Sequence, residues 1–371
     1  MTLEDGPIDR AAANLLSHCA GLSTGSRLVV ISETEGGGYY DDGLAPAVAS
    51  MARERGIRTT LCSVPFQEAV DDLDDEIAEL ISESDCTIFF ARLGDQVRFR
   101  DLRSGSRAVV SYALDMEMLT SPFGTAHYHA FTALKAAIDE HLATAREIHV
   151  TCPNGTDFTG PGPGWHKKPK QDVTIIRFPM SVFAPVPAAE FTGRVAMAGF
   201  LMGTGSRYYE PYGRQLAGRL IAHFTHGSLT GFSGAPEAVA AANAHYDDIA
   251  TRFGIDRNVV HSWHAGIHPG CAFNHPVESN FLRWSGGAFG NPRILHFHTC
   301  GAYAPGEISW NVLDPTIRVD GVSVWEDGRL YPDRVPGGAD ILARYPCAAA
   351  AFENPARDVG ISEALLRTCH A

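Results

Sequence analysis

The chain has 371 residues, 45% of them hydrophobic and 20% charged, with a formal net charge of −13. That length and balance suffice for two domains with buried cores and exclude wholesale disorder. The acidic charge argues against nucleic acid or an anionic membrane as partner, since both need a basic surface, and no apolar run approaches the roughly 18–20 residues that span a bilayer.

The N-terminus, Met-Thr-Leu-Glu-Asp-Gly-Pro, lacks the basic start and apolar middle of a signal peptide. Residues 28–32, 59–63, 86–90 and 108–112 are short β-rich runs that read as buried strands, while 44–55 and 67–82 have helical spacing. This alternation, closed by an amphipathic stretch at about 125–146, predicts an α/β domain over 1–146 with a mainly parallel sheet. From 147 to 371 the character changes. Gly, Pro and Thr punctuate β runs at 147–152, 173–178, 194–201, 217–223, 293–300, 308–313 and 316–325, with one Ala-rich helix at Pro236–Phe253. This half is expected to be a β-rich domain carrying the candidate active site. Eight cysteines are scattered without a Cys-x-x-Cys pair, which in a chain without a leader implies reduced thiols and a cytoplasmic location.

Several motifs read as structure. Glu35-Gly-Gly-Gly38 lacks phosphate-loop spacing and is followed by two aspartates, so it is a turn. Gly155-Thr156-Asp157 is a turn in which Asp can bond its own backbone, and the Gly/Pro-rich 160–164 stretch is loop or site wall. The basic run Lys167-Lys-Pro-Lys170 is too short to reverse the charge argument. His127 and His129, at the start of a predicted helix, have a surface or capping role. No Gly-x-Ser-x-Gly elbow occurs, although Cys271 and Cys300 lie in histidine-rich segments.

Those histidine-rich segments carry the chemistry. His261, His264, His268 and His275 crowd one segment, and His296 and His298 the next. A His-x-His pair on a strand puts both rings on one face, and imidazole suits iron and zinc. Spacing alone leaves packing and metal ligation equally open for the pair.

The order of motifs resembles the metallo-aminopeptidases of the aminopeptidase T type and their relative 2,5-dihydroxypyridine 5,6-dioxygenase. The resemblance covers mainly residues 145–325. It rests on Gly155-Thr-Asp-Phe158, on Val182-Phe-Ala-Pro185 with Glu190-Phe-Thr-Gly-Arg-Val195, and on His268-x-Gly270-x-x-x-Asn274. His296 with Tyr303, and Asp320-Gly321, complete it. It implies this fold, a homodimer, and a site in which Ser181 falls near one bridging glutamate, His268 takes the place of a second, and His296 is kept. The family's His-x-Asp pair falls on Ser309 and Asn311. Peptide hydrolysis by two metals loses much of its ligand charge that way. A mononuclear iron site also loses its carboxylate, and the rescuing set is His268, His296 and His298, holding one Fe(II) or Zn(II).

Three functions stay open at this point, all in the cleft of the second domain. The first is a divergent enzyme acting on a small polar or aromatic substrate, with Tyr303 protonating or bonding the intermediate; ring-cleaving oxygenation is its most specific form. The second is a metal-free hydrolase or group-transfer enzyme using His268 or His296 as base with Ser309 and Asn311 orienting the substrate. The third is a non-catalytic binding or scaffold protein that retains the fold.

Overall fold

Leu28, Val29, Val30 and Ile31 are buried in succession, so the strand that carries them is covered on both faces, as parallel strands are. The computed structural model describes residues 6–362 except 35, 71, 101, 103–105, 165–172, 206 and 304. The basic run at 167–170, Glu35, Cys369 and the N-terminal five residues lie outside the described residues. In the first half, β1 (Arg27–Glu33), β2 (Arg58–Val64), β3 (Cys86–Phe90) and β4 (Arg107–Ser111) pair in parallel. Helices Leu44–Glu54 and Asp75–Glu83 connect them. The second helix starts later than the expected 67, because Asp74 caps it by accepting from the Glu76 N–H at 2.9 Å. Residues 67 and 68 instead give their carbonyls to the Gln96 side chain. The long helix Tyr128–Ala143 buries Phe131, Leu134, Ile138 and Leu142 along one stripe. His127 caps it, its Nδ1 accepting from the His129 N–H, which bears out the capping role.

The chain then builds a hairpin of β5 (Ile148–Thr151) and β6 (Asp157–Gly160), turning at Gly155 with φ +103°. It returns to the first sheet with β7 (Ile176–Phe178), which pairs in parallel with β4. The five-stranded order is β2-β1-β3-β4-β7, so residues beyond 146 complete the parallel sheet.

The remaining strands are β8 (Val186–Pro187), β9 (Thr192–Ala196), β10 (Phe200–Met202), β11 (Gly213–Gln215), β12 (Leu220–Thr225), β13 (Ser228–Gly234), β14 (Val260–Ala265), β15 (Ile294–Thr299), β16 (Ile308–Leu313), β17 (Thr316–Val319), β18 (Val322–Glu326) and β19 (Arg329–Leu330). They form an eight-stranded sheet, β13-β12-β9-β6-β5-β17-β18-β19, and a six-stranded sheet, β11-β10-β16-β15-β14-β8. The two share one core. Phe158 of the larger sheet meets Phe297 at 5.1 Å and Trp263 at 5.5 Å between ring centres, and Phe224 meets Trp310 at 6.2 Å.

That core fixes the parity of three strands. Trp263, Leu295, Phe297, Trp310 and Val312 point into it and are fully buried, each stabilising the fold by about 1.5–3 kcal/mol through burial. Because successive side chains alternate, Ser262, His264, His296, His298, Ser309 and Asn311 take the opposite face. The strands therefore present an apolar face to their partner sheet and a polar one away from it.

Candidate metal centre

Strand register lines the polar residues up in two rows. His264 pairs with His296, which pairs with Asn311; Ser262 pairs with His298, which pairs with Ser309. Neighbours in such rows lie about 4.5–5.5 Å apart at Cβ, so three imidazoles converge. Ring centres are 4.1 Å apart for His264 and His296, and 5.1 Å for His298 with either. All three side chains are buried, and one ligand atom from each lies within 4.8 Å of the others.

Hydrogen bonding sets the tautomers. His264 Nδ1 lies 2.9 Å from the Phe183 carbonyl and donates to it, which leaves Nε2 with a lone pair. His298 Nε2 stands 3.0 Å from that lone pair. Two imidazoles on one ion, each at about 2.0–2.1 Å and spread by about 90–109°, place their nitrogens about 2.9–3.4 Å apart. The observed separation falls within that window. His296 Nδ1 is buried without a partner among the described residues, a cost that buried polar atoms rarely carry unrewarded. Burial, the other imidazoles and the Arg177 guanidinium hold the pKa of His296 well below 6.5, and burial, His264, His261 and the two guanidiniums Arg98 and Arg177 do the same for His298. Both are neutral at physiological pH, the form that binds a metal. Phe289 stacks on His296 at 3.9 Å and 13°, fixing the ring plane. The donor set fits one divalent transition metal.

A cavity of about 370 Å³ opens in front of these rings. The first sheet supplies its other wall from strand C-terminal ends, where α/β sheets bind ligands. Arg177 is on β7, Tyr112 follows β4, and Asp95 and Arg98 follow β3. Asp95 accepts from the Tyr112 hydroxyl at 2.7 Å and pairs with Arg98 at 3.3 Å. At the rim, β14 carries a bulge: Val260 pairs with Thr299 but Ser262 with His298, so His261 is the extra residue. Bulges re-aim side chains, and His261 as well as Ser262 lines the cavity, with His261 Nδ1 2.9 Å from Ser262 Oγ.

Comparison with solved structures places this architecture. The structure of 2,5-dihydroxypyridine dioxygenase from Pseudomonas putida KT2440 matches with a TM-score of 0.56 and 13% identity, covering 88% of this chain and 96% of that one. The chain shares the fold of that dioxygenase. AmpT from Thermus thermophilus matches with a TM-score of 0.49 and 10% identity over 87% of this chain and 98% of its own. No protein-family model matches, and no curated protein matches in sequence. The dioxygenase-like fold thus agrees with the α/β architecture and the resemblance read from the motifs, while at such identity it carries no chemistry across.

Against this dioxygenase-like fold the expected ligand set needs one correction. His296 and His298 are in the cluster, but the third imidazole is His264, and His268 is not. His268 lies beyond the end of β14, fully buried, stacked on Phe131 at 3.7 Å and edge-on to Phe123 at 4.9 Å. Its Nδ1 accepts from the Gly270 N–H, and burial lowers its pKa to about 3. Gly270 is needed there because a Cβ would sit 2.8 Å from Phe123 N and the Pro122 carbonyl carbon. The His268-x-Gly270 motif is a packing device that locks this turn onto the first half of the chain. The signal for His264 was present in Trp263, whose core position forces His264 onto the polar face.

Ser309 and Asn311 sit beside the histidines, fully buried, with Ser309 Oγ donating to Asn311 Oδ1 at 3.4 Å. They back the rings and do not line the cavity. Tyr303 is exposed, outside the cavity lining, and donates to Glu307. Ser181 lines the cavity. Cys271 and Cys300 are buried thiols whose pKa burial raises to about 12, so neither is a nucleophile. Among the described residues, no helix is long and apolar enough to cross a membrane.

Proposed function

We propose that this cavity is the active site of a mononuclear non-heme iron oxygenase acting on a small aromatic substrate, with Fe(II) held by His264, His296 and His298. The observation that carries this reading is the convergence of three buried imidazoles, two of them held neutral, from adjacent strands onto the floor of one cavity. The enzymatic nature of the fold neighbour, a dioxygenase by name, supports it. Bound by His264, His296 and His298, Fe(II) would supply the oxygen-activating chemistry of a mononuclear non-heme centre.

The chain's own residues do the rest. Phe183 O orients His264, and Phe289 orients His296 and offers an apolar wall for a ring. Tyr39, Phe99 and Tyr112 continue that wall and exclude water. His261 Nδ1 is engaged by Ser262, so its Nε2 is the atom that can exchange a proton with substrate. Metal-free catalysis with His296 as base is disfavoured, because a pKa far below 6.5 makes it a poor proton acceptor.

Metal content of anaerobically purified protein tests the reading. About one equivalent of iron is expected in the wild type, and none in His264→Ala, His296→Ala or His298→Ala. Protein that stays metal-free under anaerobic loading with Fe(II) or Zn(II) would end it.

A further inference from the structure

The charged groups that line the cavity are engaged within the protein. Arg98 and Asp95 pair at 3.3 Å, Asp95 Oδ1 also accepts from the Tyr112 hydroxyl at 2.7 Å, and Arg177 is engaged as well. Two polar atoms of the lining differ in this respect. The Tyr39 hydroxyl and Asp95 Oδ2 have no hydrogen-bond partner among the described residues. Both side chains are deeply buried, at 3% and 5% exposure. A polar atom held that far inside without a partner costs free energy that a ligand can return.

Packing holds Tyr39 at the cavity. Its ring stands edge-on to Tyr40 at 5.0 Å, with the Arg92 guanidinium 5.4 Å from its centre. Arg92 is itself clamped by both carboxylate oxygens of Glu33, at 2.9 and 2.8 Å. A Cβ on Gly286 would collide with the Tyr39 hydroxyl, so this glycine of the lining leaves room for it. Burial first, and the Asp95 carboxylate second, push the Tyr39 pKa well above 10, so the hydroxyl keeps its proton and donates. The phenol and the carboxylate act on one another, yet no hydrogen bond joins them.

We infer that Tyr39 and Asp95 contact the substrate and that they take a small, neutral aromatic amide. The Tyr39 hydroxyl donates to the amide oxygen, Asp95 Oδ2 accepts from the amide N–H, and the ring lies along Phe289 toward the three histidines. An amide is the simplest group that offers an acceptor and a donor side by side. A carboxylate would set a like charge against Asp95. A ketone or ester carries no donor and would leave Asp95 Oδ2 desolvated without a bond, the kind of loss by which a polar site rejects an analogue. The cavity is at the small end of the range of about 300–1,000 Å³ for ligand pockets, the size for one ring with short substituents. This assignment rests on the cavity being a substrate site, as proposed above, and can be tested without metal.

The experiment titrates chelator-treated, metal-free full-length protein by calorimetry with benzamide, with benzoate, and with acetophenone, which has benzamide's shape without its N–H. Benzamide is expected to bind at least about tenfold more tightly than either of the others. Tyr39→Phe should weaken benzamide by about threefold to tenfold without lowering the melting temperature, because the lost hydroxyl has no partner in the protein. Asp95→Asn keeps an acceptor for Tyr112 and Arg98 but puts N–H in place of Oδ2, so it should reverse the preference of benzamide over benzoate. A merely structural role for Asp95 would instead weaken all three ligands alike. No benzamide binding, benzoate or acetophenone binding as tightly as benzamide, or an unchanged benzamide affinity in Tyr39→Phe would each overturn the inference. So would an Asp95→Asn protein that folds and keeps the wild-type order of ligands; if that variant does not fold, the wild-type comparison and Tyr39→Phe still decide. Because the titrations are done without metal, their failure leaves the metal site standing, and failure of the metal assay leaves them readable.

Discussion

The sharpest test of the three-imidazole floor compares two alanine variants four residues apart. His264→Ala removes a ring that donates to Phe183 O and faces His298 at 3.0 Å. His268→Ala removes one sandwiched by Phe131 and Phe123. A ligand that binds only the folded state stabilises it by about 2.7 kcal/mol when present at about 100 times its dissociation constant. Wild type should therefore gain roughly that much in urea denaturation when saturated with Zn(II), and His264→Ala should gain almost none. Without metal, His264→Ala should cost only about 1–3 kcal/mol, the price of leaving the Phe183 carbonyl unpaired in the interior. His268→Ala should behave in the opposite sense. Losing a fully buried ring that fills a packed site costs about 2–5 kcal/mol with or without metal, and the Zn(II)-dependent gain should persist. If instead His268→Ala abolishes metal uptake while His264→Ala retains one equivalent, the centre is built around His268 and the register argument is wrong.

Further outcomes follow from burial and charge. His268, with its folded pKa near 3 against 6.5 unfolded, is neutral in the fold while the unfolded chain takes up a proton. Its contribution is therefore complete above about pH 6.5 and is lost as pH falls toward 3, with a slope of up to about 1.4 kcal/mol per pH unit. His268→Phe should flatten that acid limb, read by urea midpoints from pH 7 down to 4; an unchanged slope would contradict it. Glu307 is shifted the other way, its pKa raised from 4.5 to about 7 by burial. It is protonated in the fold where the unfolded chain is not, so stability is lost as pH rises from about 4.5 through 7. Glu307→Gln should remove this loss and melt higher than wild type at pH 8 but not at pH 4. Asn311→Asp puts a carboxylate beside His296 on a paired position. Metal-free, it should be destabilised by about 3–5 kcal/mol as an uncompensated buried charge, and Zn(II) should bind more tightly and restore the stability. A destabilised variant with no tighter Zn(II) binding would show that Asn311 cannot reach the ion.

Much of the fold was legible because its signals are local. The runs at 28–32, 86–90 and 108–112 became largely buried parallel strands, and Pro236–Phe253 is a helix as expected from its composition. The run at 59–63 is a parallel strand too, but it forms the edge of the sheet and its residues are half-buried or exposed, against the expectation of a buried strand. Less legible were strands without such runs. β13 is Ser-, Thr- and Gly-rich, and β14, with two histidines among six residues, resembles no apolar strand. Both are strands because of what they pair with, β12 and β15 respectively. The run at 316–325 split into β17 and β18 around Asp320 and Gly321, both at positive φ.

The candidate site shows where local reading stops. His296 and His298 share a face by strand periodicity alone, and that much was visible. The third imidazole depended on which residue of β14 stands opposite His296, a matter of register between strands about thirty residues apart, set by a bulge at His261. A slip of one residue would have turned His264 into the core and Trp263 toward the cavity. The large apolar partner prevents it: Trp263 is fully buried among Phe158, Phe183 and Phe191, and turning it toward the cavity would give up that burial. The core thus selects which imidazole of β14 joins the cluster. The same parity explains why Ser309 and Asn311 stand on the polar face with no charge to offer. Those positions belong to the same rows as the three imidazoles, so the donors this face can offer a metal are neutral ones.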